Sequence, residues 1–439
     1  MKSVSLHTLG CKLNYSETST IAKDFDSKGF ILKNYGEPSD IFVLNTCSVT
    51  ENADKECRQI VRSILRNKPD TYVIVTGCYA QLQPDEIAQI EGVDLVLGIS
   101  EKMKLFDYID NFQKKELSCI FRSPVENATG FGEAFSADTD SRTRAFLKIQ
   151  DGCDYKCTFC TIPFARGKSR SLDLKNVILN AKKIIDSGYK EIILTGVNTG
   201  DYNFKNGSKI LKLIDVLYEL GKLEIERIRI SSIEPNLLSD EIISFAKSSE
   251  KFCKHFHIPL QSGDGDILKL MKRRYNPDYY FDLIDRLNDE IPSVGIGVDV
   301  ITGFPGETEK QFRNTLDFLN SLNISYLHVF TFSERRDTEA LKLMGRVDVR
   351  ERRNRTEILR RFSDSRRFDF YSKHIGSRQE VLFEAKNKNG FAEGYTSNYI
   401  RVKAESNEEL ENKICNVILK EADGVNPVSA ELIKEKNYA

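Results

Sequence analysis

Asp151-Gly152-Cys153-Asp154-Tyr155-Lys156-Cys157-Thr158-Phe159-Cys160 places three thiols in the spacing C-x3-C-x2-C, with an aromatic between the last two. A mononuclear zinc site closes with four ligands. A cubane of four irons held by three cysteines leaves one iron open. The stretch therefore reads as an iron–sulfur loop, with a structural zinc loop or three core cysteines as the plainer alternatives. The residues just before it, Arg144-Ala-Phe-Leu-Lys-Ile-Gln150, read as a strand. That puts the cysteines on the loop after a strand, where barrel enzymes carry their chemistry.

Downstream, strand-like runs recur at residues 146–149, 191–195, 227–231, 255–258, 294–302 and 326–332. Helical stretches separate them at 172–187, 209–220, 278–289 and 309–321. Strand–helix alternation implies a parallel sheet. Six units predict a partial (β/α)6 barrel with a wide mouth. Polar residues gather just after these strands: Gly196 and Asn198, Ser232 and Glu234, Gln261, and Asp299 within the fifth run. Arg166 and Arg170 follow the cysteine loop, where their planar forks suit a carboxylate or a phosphate. His257, before a proline, reads as a hydrogen-bonded structural residue rather than a base.

The cysteine motif and its position resemble the radical S-adenosylmethionine (SAM) superfamily. The resemblance implies a 4Fe-4S cluster on Cys153, Cys157 and Cys160 whose open iron chelates SAM, and reductive cleavage of SAM to a deoxyadenosyl radical. It also implies SAM contacts from Gly196, Asn198, Ser232, Glu234, Gln261, Asp299, Arg166 and Arg170. No residue is assigned as a catalytic acid or base.

Towards the N-terminus, apolar runs at 4–9, 41–44, 72–75 and 95–97 alternate with helical stretches at 17–28, 53–67, 84–90 and 102–112. Cys11, Cys47 and Cys78 each follow one of the first three runs. Parallel strands bring their C-terminal ends to one edge, where ligands bind. Three thiols far apart in sequence therefore converge, which predicts a second three-cysteine site. Here the chain resembles the methylthiotransferases. Thr8-Leu-Gly-Cys11-Lys-Leu-Asn14 and Asn45-Thr-Cys47-Ser-Val-Thr-Glu-Asn-Ala-Asp54 most resemble those acting on threonylcarbamoyladenosine in tRNA. The resemblance implies a second 4Fe-4S cluster on these thiols, an electron donor protein and a sulfur donor. The sister activities on isopentenyladenosine in tRNA, or on a ribosomal-protein aspartate, are alternatives. A non-catalytic iron–sulfur tRNA-binding protein is a third. Cys57, Cys119, Cys253 and Cys415 fit no motif and read as structural.

Beyond the barrel, residues 335–378 hold 14 Lys/Arg against 7 Asp/Glu, and a helix is expected over 349–373. Such an arginine surplus suits phosphates, and Arg352, Arg353 and Arg355 are expected to meet RNA. In Arg335-Arg336-Asp337-Thr338, relatives usually carry glycine where Asp337 stands. From His374 onward strands are expected at 379–384, 391–395, 399–402 and 417–419, with a turn at Asn387-Lys-Asn-Gly390. This tail resembles the TRAM domain, a small RNA-binding β-barrel. It is near neutral, with 9 Lys/Arg and 11 Asp/Glu, so base stacking by Tyr395 and Tyr399 is expected there.

The 439 residues thus divide into a parallel α/β domain at 1–130, a radical barrel with its basic helix at 143–373, and a TRAM-like barrel at 374–439. The turn-rich stretch 118–142 links the first two. Ten cysteines, no apolar run long enough to span a membrane and no signal-like start predict a cytoplasmic transferase without disulfides.

Overall fold

The computed structural model describes residues 1–48, 51–109, 111–128, 130–136, 143–386 and 390–433. Val49 and Thr50 of the second cysteine motif, Thr129 and residues 139–141 of the linker, and 387–389 of the tail's turn lie outside that description.

The N-terminal unit is a six-stranded sheet in the order β2-β1-β3-β4-β5-β6, every pair parallel. Its strands are β1 (Ser3–Thr8), β2 (Ile31–Lys33), β3 (Ile41–Thr46), β4 (Tyr72–Gly77), β5 (Val93–Leu97) and β6 (Cys119–Phe121). β3, β4 and β5 are buried along their whole length. Burial on both faces is why they read as unbroken apolar runs. β2 and β6 escaped the sequence reading because each is a three-residue edge strand that is largely exposed. Helix α1 (Lys12–Ser27) starts directly after Cys11, five residues earlier than its apolar period implies. Its first turns bury the polar Asn14, Ser16 and Glu17 instead.

The central unit has six barrel strands: Arg144–Lys148, Glu191–Thr195, Arg227–Ile230, His255–His257, Gly295–Thr302 and Tyr326–Thr331. Neighbours pair in parallel within each half. The bridge Ile228↔Phe252 joins the halves. Among the described residues no pairing joins the first strand to the sixth, so the barrel is partial, as expected. Where one helix was expected over 209–220, Asn203–Asn206 and Lys209–Lys212 form a hairpin and the helix begins at Leu213. The arginine-rich helix Val349–Ser372 lies along the sixth strand, with Ser363 Oγ bonded to both Leu327 N and O (2.8 and 3.1 Å).

The tail is a closed five-stranded barrel, including an unexpected strand Val428–Leu432 whose residues are mostly half-exposed. It caps the N-terminal ends of the central strands. Arg227, first in its strand, donates to Tyr395 O and Glu380 O, both at 2.9 Å. Arg144, first in its strand, pairs with Glu384. Asp337, at the position where relatives usually carry glycine, has φ 64°, the left-handed region that favours glycine and tolerates Asp. Among the described residues no helix is long and apolar enough to cross a membrane.

Candidate functional site

Cys11 precedes α1, Cys47 follows β3 and Cys78 opens the short helix Cys78–Leu82 after β4. Polar groups that the sequence reading did not single out bind these loops together. Asn14 Nδ2 donates to Leu9 O (3.0 Å) and Thr46 O (2.9 Å), and Thr46 Oγ1 donates to Thr76 O (2.5 Å). Gly10 has φ 98°, and a Cβ there would lie 2.5 Å from Cys47 Cβ. Only glycine lets the first two cysteine loops approach this closely. All three thiols line one cavity of about 540 Å³. Cys47 and Cys78 are buried, while Cys11 is exposed at the cavity edge.

On the central loop each sulfur receives an N–H donor. Tyr155 N points at Cys153 Sγ (3.4 Å), Ile162 N at Cys160 Sγ (3.4 Å), and Arg273 Nη1 at Cys157 Sγ (3.2 Å). Donors aimed at sulfur suit thiolates. Burial nonetheless pushes Cys153 up to about 11 and Cys160 up to about 12. A metal cation held beside them would favour their thiolate form. Among the described residues no three His, Cys, Asp or Glu side chains close around a point as a single metal ion requires.

Arg273 Nη2 also pairs with Glu234, so that expected SAM contact is tied to the cysteine loop through an arginine. The space beside Gly196 is filled by Gln150, which a Cβ would meet at 2.9 Å. Asn198 is 5 % exposed, and among the described residues neither its side-chain oxygen nor its nitrogen has a hydrogen-bond partner. A buried amide with both ends free fits a polar ligand. Ser232, His257 and Asp299 form a chain: Ser232 Oγ to His257 Nδ1 is 2.9 Å and His257 Nε2 to Asp299 Oδ1 is 2.7 Å. His257 is thus hydrogen-bonded, as expected, and with its two partners it lines the 540 Å³ cavity. Gln261 adopts φ 71° and bridges to Val300.

Several expected contacts are corrected. Arg166 lines the 540 Å³ cavity, but its guanidinium is engaged by groups of the protein itself. It is 1 % exposed and donates to Asn14 Oδ1 (2.7 Å), to both Glu17 oxygens (3.0 Å each) and to Asp151 (2.9 Å). It welds the N-terminal unit to the barrel. Arg170 Nη1 donates to the carbonyls of Arg166 and Lys168, both at 2.9 Å. Arg352 and Arg355 do not face RNA. The Arg352 stem covers Gly303, where a Cβ would lie 2.2 Å from its Cγ, and its guanidinium donates to Glu334 (3.1 Å). Arg355 donates to Glu307 (2.8 Å) and Glu351 (2.9 Å). Both lie with Leu359 and Ser363 on the buried stripe of the helix. Of the three arginines only Arg353 is exposed.

Tyr399 and Tyr395 do not form an outer stacking platform. Tyr399 lines the central cavity from below, stacked on His255 (4.6 Å) and on Tyr395 (4.8 Å). The Arg144 guanidinium lies 4.7 Å from the Tyr395 ring. Burial pushes the Tyr399 phenol up, but the cations Lys12, Arg144 and Arg229 outweigh it and hold it below its ordinary value. The sequence did carry one signal for this lining. Glu191, Arg227 and Arg229 are charged residues inside otherwise apolar strands, and such charges must find partners.

Comparisons with known proteins agree with this architecture. A family model for the radical SAM superfamily matches residues 147–319, and one described as uncharacterized protein family UPF0004 matches 3–98. The threonylcarbamoyladenosine tRNA methylthiotransferase of Bacillus subtilis is 39% identical, over 95% of this chain and 93% of its own length. That of Thermotoga maritima is 32% identical over 99% of both. The tRNA-2-methylthio-N(6)-dimethylallyladenosine synthase of Endomicrobium trichonymphae is 30% identical over 95% and 97%. Among solved structures, the radical SAM methyltransferase TsrM of Kitasatospora setae superposes with TM-score 0.54 at 14% identity, over 75% of this chain and 73% of that one. That likeness shows the fold.

Proposed function

This chain belongs to the radical SAM tRNA methylthiotransferase family, and we propose that it attaches a methylthio group to threonylcarbamoyladenosine in tRNA. The observation that carries the reading is one shared cavity. Cys11, Cys47 and Cys78 line the same space as Gly196, Ser232, His257 and Asp299 from the barrel rim. The N-terminal thiols and the barrel rim therefore face one space, which supports a reading in which both act on one base.

A 4Fe-4S cluster on Cys153, Cys157 and Cys160 supplies the electron that cleaves SAM, and one on Cys11, Cys47 and Cys78 supplies a place for sulfur. The chain's own residues position and enclose. Arg273 orients Cys157 and Glu234 together. The free amide of Asn198 is available to SAM's polar groups. The Ser232–His257–Asp299 chain fixes the cavity wall. Tyr399 closes its floor against water. Turnover draws on an electron donor protein and a sulfur donor, and exposed arginines such as Arg353 receive the tRNA backbone.

Mass spectrometry of tRNA nucleosides from a strain lacking the gene tests this. Unmethylthiolated threonylcarbamoyladenosine is expected to accumulate. Loss of methylthio-dimethylallyladenosine instead transfers the protein to the sister activity.

A further inference from the structure

At the floor of the central cavity the cysteines leave two cationic groups unexplained. Lys12, next to Cys11, lines the cavity, and its Nζ makes no hydrogen bond or ion pair among the described residues. Arg229 reaches the same cavity from the third barrel strand and is 1 % exposed. Its Nε and Nη2 bond Glu191 at 2.7 and 3.4 Å and its guanidinium lies 5.0 Å from the Tyr399 ring, while its buried Nη1 has no hydrogen-bond partner among the described residues. Around them, Arg144 and Arg227 also face Glu191, Arg144 pairs with Glu384, and Asp299 lines the same cavity bonded to His257. Among the described residues four cations thus meet three carboxylates. His255 adds no charge, since burial holds it well below its ordinary value. Lys12 is exposed to water, whereas a buried donor left unsatisfied, as Arg229 Nη1 is, is costly; an anion entering the cavity answers that donor and faces the Lys12 ammonium as well.

Resting on the substrate reading above, we propose that Lys12 and Arg229 hold the carboxylate at the end of the threonylcarbamoyl arm. The arm of dimethylallyladenosine is hydrocarbon and offers these cations nothing. A site built to bond an oxyanion rejects an analogue lacking it far better than an apolar pocket rejects a bulkier one. A cavity of about 540 Å³ is in the range that encloses a small ligand, here an adenine with its arm. The subsite therefore sets which modified adenosine is accepted. The same chemistry would receive the carboxylate of SAM, so the experiment separates the two.

Anticodon stem-loops carrying the arm as free acid or as methyl ester are titrated by fluorescence anisotropy against the full-length wild type, Lys12→Met and Lys12→Arg. The acid-to-ester affinity ratio is internal to each preparation, so incomplete cluster loading or folding cancels. Wild type is expected to favour the acid about tenfold to a hundredfold, the equivalent of one charge-assisted hydrogen bond. Lys12→Met should bring the ratio towards one, and Lys12→Arg should restore it. Equilibrium dialysis should find SAM affinity unchanged in Lys12→Met. An unchanged ratio in Lys12→Met, a wild-type ratio near one, or a fall in SAM affinity instead overturns the subsite. Turnover of the acid stem-loop by wild type is read separately. Turnover without acid preference sinks the subsite alone, and absence of turnover sinks the substrate reading beneath it.

Discussion

Glu17→Gln is the sharpest test of how the two cysteine sites are held in register. Glu17 is wholly buried on α1 and accepts from Lys148 (2.9 Å), twice from Arg166 (3.0 Å each) and from Lys102. Neutralising it leaves Lys148 and Arg166 with Asp151, at 2.8 and 2.9 Å. Lys102 has no other ion partner among the described residues. Stripping one partner from a buried pair costs about 3–5 kcal/mol. Burial already lowers the Lys102 pKa, so the amine can shed its proton, and the lower end, about 3 kcal/mol, is expected. That leaves a domain of ordinary stability folded, while loosening the joint between the N-terminal unit and the barrel. Burial alone would push the Glu17 carboxyl up, but Arg166, Lys102 and Lys148 hold it well below the usual carboxylate range. A depressed carboxylate stabilises above its unfolded pKa, and the effect is lost only as pH falls through the folded value. The contribution of Glu17 itself is therefore flat between about pH 6 and 8, and the cost of the substitution should shrink as pH rises wherever the variant's folded Lys102 has lost the proton that the unfolded chain keeps. The chain has no tryptophan, so urea unfolding is followed by circular dichroism. A cost under about 1 kcal/mol, against the 3–5 kcal/mol of a broken buried pair, or a cost that grows as pH rises across neutrality, refutes the reasoning.

Replacing Cys11, Cys47 and Cys78 together with Ala should remove about half the iron, two cubanes being assumed. SAM cleavage should persist while methylthio transfer vanishes. Mössbauer counting, deoxyadenosine release and nucleoside analysis on one anaerobic preparation decide this, and full iron content would refute it. Arg353→Gln should reduce the salt slope of tRNA binding by up to about one unit without loss of stability. Arg352→Gln, which removes a buried guanidinium that bonds Glu334 and the carbonyls of Val347 and Phe332, should lower the unfolding midpoint and leave the slope alone. A filter-binding salt titration beside urea melts separates them. Burial holds His255 well below its ordinary value, so the unfolded chain takes up the proton first. Stability should thus fall as pH drops below about 6.5, with a slope of up to about 1.4 kcal/mol per pH unit from this residue. His255→Gln should flatten that part of the profile measured by urea melts.

The cysteine loop, the six central strands and the convergence of Cys11, Cys47 and Cys78 were legible because each rests on local pattern. Buried parallel strands are unbroken apolar runs, and parallel pairing sends every following loop to one edge. At Asp337 the departure from glycine left the turn's conformation open in the sequence, and the structure supplies it, a φ of 64°. The arginines were not legible. Arg166 reads from its neighbours as a ligand for an anion. The anion turned out to be Glu17, 149 positions earlier. Arg352 and Arg355 share the helical spacing of Leu359 and Ser363, so their stripe was visible, but which face the barrel covers was not. Tyr399 is a strand-flanking residue of a small barrel until that barrel caps the central one and turns the ring into its floor. Periodicity reports which residues share a face. Whether a charge on that face is buried depends on a partner delivered by distant chain, and only the packed tertiary structure supplies it.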